Sequence, residues 1–205
     1  MIKEFEKRLL SSIILVLITF FAVLDGETIF VIFISIAFLI SSYEWLRMIK
    51  RVDIKILGIL FLTFSFYSAF YFRNQNLEGF LLIILICVST DIGGYIFGNL
   101  FKGPKIFPNI SPNKTFSGSL SAVFCSIIIS VYLQLSDVFY IDIIIGLLIS
   151  IFGQLGDLIE SMFKRKQGFK DSGNFIPGHG GFLDRCDSLL LSTIFIFIPF
   201  YFNFI

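Results

Sequence analysis

Seven stretches of this chain, at about 9–24, 28–43, 56–72, 79–98, 118–135, 138–160 and 188–205, are almost wholly apolar. That pattern leaves few folds open. A helix that crosses a bilayer needs about 20 mostly apolar residues. In lipid, only helices and closed barrels satisfy every backbone N–H and C=O internally. Barrel strands alternate apolar and polar positions, and these runs are too long and continuous for that. The expectation is an all-α integral membrane protein, a polytopic helical bundle of about seven transmembrane helices. Composition agrees, with 56% hydrophobic and only 15% charged residues in 205 and a mean hydropathy of +0.90. Phe occurs 28 times and reads as lipid-facing bulk rather than as a stacking site.

A net charge of +1 gives no global field to attract nucleic acid, so none is expected as a partner. The three cysteines are far apart. Cys87 and Cys125 lie in apolar stretches and Cys186 follows a charged one, so neither a disulfide framework nor a metal-type spacing is present. The N-terminal "MIKEFEKRLLSSIILVLITFFAVLDG" has the basic start and apolar run of a signal peptide. No small-x-small site follows it and further apolar stretches do, so it reads as an uncleaved first span.

Lysine and arginine set orientation, because cytoplasmic connections carry the excess. The basic residues fall in alternate connections. Lys3, Lys7 and Arg8 precede the first span. Arg47, Lys50, Arg51 and Lys55 follow the second, and Lys102, Lys105 and Lys114 the fourth. Lys164, Arg165, Lys166, Lys170 and Arg185 follow the sixth, and Arg73 alone lies on the other side. The expected N-terminus is cytoplasmic. The polar connections 99–117 and 161–187 then face the cytoplasm together, from a multi-pass protein of the inner (cytoplasmic) membrane.

Acidic residues in or beside spans are costly and tend to be functional. Asp91, in "STDIGGYIFG", shares a helix face with Tyr95 and Gly98 at i, i+4, i+7, and Gly93, Gly94 and Gly98 allow close helix approach. Asp157, Ser161 and Lys164 repeat that spacing, with Glu160 beside them. Asp184 and Asp187 stand at i, i+3 where the last span begins; a helix N-terminus favours such charge for its dipole alone, but that does not account for Lys170, Asp171, His179 and Arg185 crowded beside them. Carboxylates with few His or Cys are hard oxygen ligands that suit Mg²⁺. Lysine and arginine suit phosphate oxygens. The glycines of "PGHGG" let backbone N–H groups approach an anion. His179 reads equally as a base, a phosphate donor or a structural residue. "NISPNKTFSGS" offers Ser111, Lys114, Thr115 and Ser117 ahead of the fifth span, as phosphate contacts or as an ordinary helix cap. It lacks the spacing of a Walker loop. Together these residues point to a membrane-embedded, cytoplasm-facing, Mg²⁺-dependent site for phosphate-bearing substrates.

The same residues resemble the phosphatidate cytidylyltransferases, or CDP-diacylglycerol synthases. That family's terminal signature reads S-x-x-K-R-x4-K-D followed by P-x-H-G-G-x-x-D-R-x-D. Here it is matched by Ser161, Lys164, Arg165, Lys170, Asp171, Pro177, His179, Gly180, Gly181, Asp184, Arg185 and Asp187. "SPNKT" is similar to the family's S-P-x-K-T element and "DIGGY" to its D-x-x-A/G-Y segment. Strong resemblance runs from about 88 to 190. Ser117 stands where many members have Glu, Asn99, Lys102 and Gly103 replace the usual G-R-x-x-G-K order, and the chain is shorter than many members. The resemblance implies one membrane-embedded cytidylyltransferase domain over 1–205, with N-terminal spans in 1–75 and a catalytic core in 79–205. It implies the reaction of CTP with phosphatidic acid to give CDP-diacylglycerol and pyrophosphate, a step of phospholipid biosynthesis. It implies Mg²⁺ held by Asp157 and Asp184, with a second cation allowed, and Asp91 and Asp187 as supporting acids. Ser161, Lys164, Arg165, Lys170, His179 and Arg185 are then expected on the triphosphate or lipid headgroup, and Ser111, Lys114 and Thr115 on the other phosphate. Membrane lipids surround the site, and a homodimer is a family expectation.

Two rival readings set the tests. A CTP-dependent polyprenol or phytol kinase would release CDP instead of pyrophosphate. An ion-coupled transporter would spread polar residues through several spans or show an inverted repeat; here they collect at one membrane face. The D-G-x2-A-R…G-x3-D-x3-D pattern of CDP-alcohol phosphotransferases is absent.

Overall fold

The computed structural model describes the backbone of residues 2–134, 136, 138–176, 178 and 180–202, and their side chains except those of 2–9 and 27. Seven helices appear in this part: α1 (Ile2–Asp25), α2 (Glu27–Met48), α3 (Val52–Gln75), α4 (Leu77–Phe101), α5 (Phe116–Leu133), α6 (Phe139–Lys166) and α7 (Leu183–Tyr201). Five of them, α2 to α6, are long and apolar enough to cross a membrane. The apolar part of α1 is shorter, Leu10–Asp25, and α7 carries Asp184, Arg185 and Asp187 in its first turns. The chain is an all-α polytopic membrane protein. Leu39, Leu57, Leu60 and Ile128 project outward, exposed. In water such a surface would drive association; in lipid it is the solvated face.

The expectation for Phe needs correction. Phe30, Phe72 and Phe80 are buried, with Phe30 edge-on to Phe80 at 5.9 Å and Phe72 edge-on to Phe200 at 4.7 Å. Aromatic edges and faces attract, so part of this Phe content builds the core.

α4 packs on α5, α5 on α6 and α6 on α7, and glycines set how closely. A Cβ at Gly93 would lie 2.8 Å from Cys125 Sγ, and one at Gly118 would lie 2.6 Å from the Gly94 carbonyl oxygen. A Cβ at Gly156 of α6 would collide with the Asp187 carbonyl oxygen of α7. Small residues let backbones approach in a bilayer, where no hydrophobic force pushes helices together.

Arg73, the basic residue that departs from the charge asymmetry, is buried in the last turn of α3. Its Nε and Nη2 donate to the Val23 carbonyl at 3.0 and 2.6 Å, and its guanidinium lies over the Phe30 ring at 5.0 Å. It satisfies a carbonyl in the last turn of α1 that has no intrahelical partner. Its position is explained by packing, with no bearing on which side of the membrane it occupies.

The connection after α4 is more than a loop. Residues Lys105–Phe107 (β1) and Ser111–Thr115 (β2) form an antiparallel hairpin. Arg165 Nε, near the end of α6, donates to the Ile110 carbonyl in its turn at 3.2 Å. The two polar connections therefore meet at one end of the bundle.

Candidate active site

α6 supplies the centre. Asp157 lies nine residues before its end at Lys166, about 13 Å along the axis at 1.5 Å per residue. The helical face expected from spacing is present: Ser161 Oγ donates to Asp157 Oδ1 at 3.2 Å. One turn on, the Lys164 ammonium, buried at 6% exposure, contacts Glu160 at 3.2 Å and Asp184 at 2.6 Å.

Asp184 and Asp187 enter from the first turns of α7. Asp184 accepts from Lys164 Nζ at 2.6 Å, from Ser172 N at 3.1 and 3.0 Å, and from Gly181 N at 2.9 Å. Its carboxylate is thus the clasp between α6, the 167–182 connection and α7. Asp187 accepts from Ser188 N at 2.8 Å and faces Glu160 and Asp157. Both Glu160 oxygens are buried. Their neighbours are the Lys164 ammonium and the Asp187 carboxyl. Carboxyls this close repel unless a proton or a cation stands between them.

The hairpin brings Lys114 to the same place. Its Nζ lies 2.6 Å from Asp157 Oδ2, with both side chains about one third exposed. Asp91 of α4 stands at the rim, exposed, within electrostatic reach of Asp157, Lys114 and Arg185. Asp91, Lys114, Asp157, Glu160, Ser161, Lys164, Asp184, Arg185 and Asp187 therefore form one polar, mostly charged group, drawn from three helices (α4, α6 and α7) and one hairpin.

Other expected residues are placed differently. The Thr115 hydroxyl caps α5, accepting from Gly118 N at 3.1 Å. Ser117, at the position where many similar chains have Glu, accepts from Gly103 N at 3.1 Å and so ties down the turn before β1. Arg165 holds the Ile110 and Phe169 carbonyls from an exposed position. Ser111 opens β2 opposite Phe107. Lys170 is exposed at the mouth of the connection. Pro177 and His179 lie outside the described residues. Gly178 and Gly180 hold φ of 79° and 85°, a region that side chains with a Cβ avoid. Sequence reasoning missed Glu44 of α2, whose buried carboxylate reaches this connection.

Residues 54–203 match the cytidylyltransferase family. A phosphatidate cytidylyltransferase of Staphylococcus saprophyticus is 40% identical over 139 residues, covering 66% of this chain and 54% of that protein. Those of Staphylococcus epidermidis and Staphylococcus aureus strain COL are 38% identical over 165 and 169 residues, covering 77% of this chain and 64% of theirs. The chain thus spans between half and two thirds of the length of these relatives. The matched segment contains the hairpin, Asp91 and every charged residue that α6 and α7 bring together, and on that match the chain belongs to the cytidylyltransferase family.

Proposed function

We propose that this chain transfers the cytidylyl group of CTP to phosphatidic acid, releasing pyrophosphate, at a site open to the cytoplasm. The observation that carries this reading is the meeting of Lys114, Lys164 and Arg185 with a group of carboxylates at one end of the bundle, inside a segment of this family. In the reaction a phosphate oxygen of the lipid forms a bond to the α-phosphorus of CTP, and the bond from that phosphorus to the bridging oxygen of pyrophosphate breaks. Both reactants are anions, so positioning and charge neutralisation supply most of the acceleration.

Lys114 is suited to exchange Asp157 for a phosphate oxygen, because the pair is partly exposed and such pairs hold each other weakly. Lys164 is buried, and its role is to hold Asp184 and Glu160. Arg185 is exposed beside them, and a guanidinium suits phosphate oxygens. Mg²⁺ suits the chemistry of the donor set, since all candidate ligands are carboxylate oxygens, although among the described residues no three of them are grouped as an ion would need. Asp157 and Asp184 remain the proposed ligands, with Glu160 and Asp187 adjacent; Asp184 would give up Lys164 to bind. Bound there, the cation would supply positive charge to offset that of the phosphates. A homodimer and a second cation remain proposals of the family resemblance.

The deciding assay is the purified protein in detergent with CTP, phosphatidic acid and Mg²⁺. Lipid-dependent pyrophosphate and a CDP-lipid are expected, and both disappear with EDTA and return with added Mg²⁺. CDP and a phosphorylated alcohol, formed from polyprenol, would establish the kinase instead. Lys114→Ala is expected to raise KM for one substrate by about tenfold, roughly 1.4 kcal/mol of lost binding, with the melting temperature little changed. Unchanged KM for both substrates would remove the hairpin from the site.

A further inference from the structure

Glu44 lies in α2, ten residues before the family-matched segment begins. It is 3% exposed. A carboxylate buried that deeply needs partners, and it has three. Oε1 accepts from Phe182 N at 3.0 Å, and Oε2 accepts from Leu183 N and from Ser172 Oγ, each at 2.9 Å. Leu183 is the first residue of α7, and the flanking Phe182 offers no side-chain cap. The first N–H groups of a helix have no intrahelical acceptor, and a negative charge there also complements the dipole. α7 is capped by a side chain 138 residues away in sequence.

The surrounding chain leaves room for this carboxylate. A Cβ at Gly173 would lie 2.5 Å from Glu44 Oε1, and one at Gly181 would lie 2.6 Å from Glu44 Oε2 and overlap Ser172 Oγ. The second glycine of "HGG" is therefore fixed by space as well as by any contact with an anion. Ser172 is held from both sides, its hydroxyl by Glu44 and its N–H by Asp184. Gly181 N donates to Asp184, and the next two N–H groups donate to Glu44.

We propose that Glu44 is a positioning residue for cytidylyl transfer. It fixes Ser172 and the Phe182–Leu183 backbone at the start of α7, and through them the places of Asp184 and Asp187. It touches no reacting atom. α2 is on this view part of the working site, although it lies outside the matched segment.

The proposal rests on the cytidylyltransferase reading, so its test has one arm that needs no turnover. Glu44→Ala and Glu44→Gln are compared with wild type as full chains in detergent. In hydrogen exchange, amides of 172–183 are expected to exchange faster in Glu44→Ala while those of α4 and α5 keep their protection. In kinetics, kcat is expected to fall by about 10²-fold, the scale of a 1 Å misplacement, with KM for CTP and phosphatidic acid nearly unchanged. Glu44→Gln keeps one acceptor oxygen and is expected to recover part of both; if the Ala variant fails to fold, the Gln variant carries the test against wild type. Exchange of 172–183 unchanged in a folded variant, or kcat within twofold of wild type, would overturn the proposal. A wild type that turns over neither substrate would sink the functional reading and leave the exchange arm to decide Glu44.

Discussion

Asp157→Asn is expected to lower lipid-dependent pyrophosphate release by at least about 10²–10³-fold, the loss seen when one preorganised electrostatic group is removed from a reaction centre. The substitution keeps the shape of the side chain and removes its charge. Asp157 sits at the junction of the site: Ser161 donates to one oxygen, Lys114 pairs with the other, and Asp91 and Asp187 lie within electrostatic reach. Stability should change little, since the Lys114 pair is partly exposed and worth about 0–1 kcal/mol. The check is a pyrophosphate assay beside a thermal melt of the same sample. A folded Asp157→Asn protein with near wild-type turnover would remove Asp157 from catalysis and from the proposed Mg²⁺ ligands.

Lys164→Met is expected to act first on stability, at about 3–5 kcal/mol, because removing one partner of a buried ion pair strands the other. Here two carboxylates lose the ammonium. Asp184 loses its 2.6 Å contact but keeps the N–H groups of Ser172 and Gly181, whereas buried Glu160 loses the cation 3.2 Å from it. Methionine fills most of the volume, so the loss reports charge rather than a cavity. The measurement is the melting temperature in detergent, with Glu160→Gln added on the Lys164→Met background. Neutralising Glu160 should restore part of the loss, since the two sites are in contact and their effects are not additive. A Lys164→Met protein as stable as wild type would show that the carboxylates do not depend on this ammonium.

Much of the site could be read from spacing within single segments. Asp157, Ser161 and Lys164 share a face because i, i+4, i+7 residues on a helix must, and the Ser161–Asp157 bond follows from that. Gly93, Gly94 and Gly98 mark the close approach of α4 to α5 for a similarly local reason, the absence of a Cβ. The "HGG" stretch with Asp184 three residues on made the start of α7 visible.

Long-range pairings were not legible. Lys114 was read as a phosphate ligand, and the fold sets it on Asp157 across 43 positions of sequence. Thr115, by contrast, takes the local one of its two readings, the cap of the fifth span. Glu44 offers one local signal, an acid at the end of an apolar run, and Arg47 and Lys50 nearby give the same stretch the character of an ordinary charged membrane edge.

The sequence alone determined that the chain enters a bilayer, where its helices run and which residue types gather at one end. Those properties follow from backbone hydrogen bonding in lipid and from the 3.6-residue period, both local in the chain. Tertiary structure decided which charges meet. A buried carboxylate is stabilised where donors converge on it, and those of Glu44 and Asp184 come from α6, α7 and the connection between them, brought together only when the helices pack.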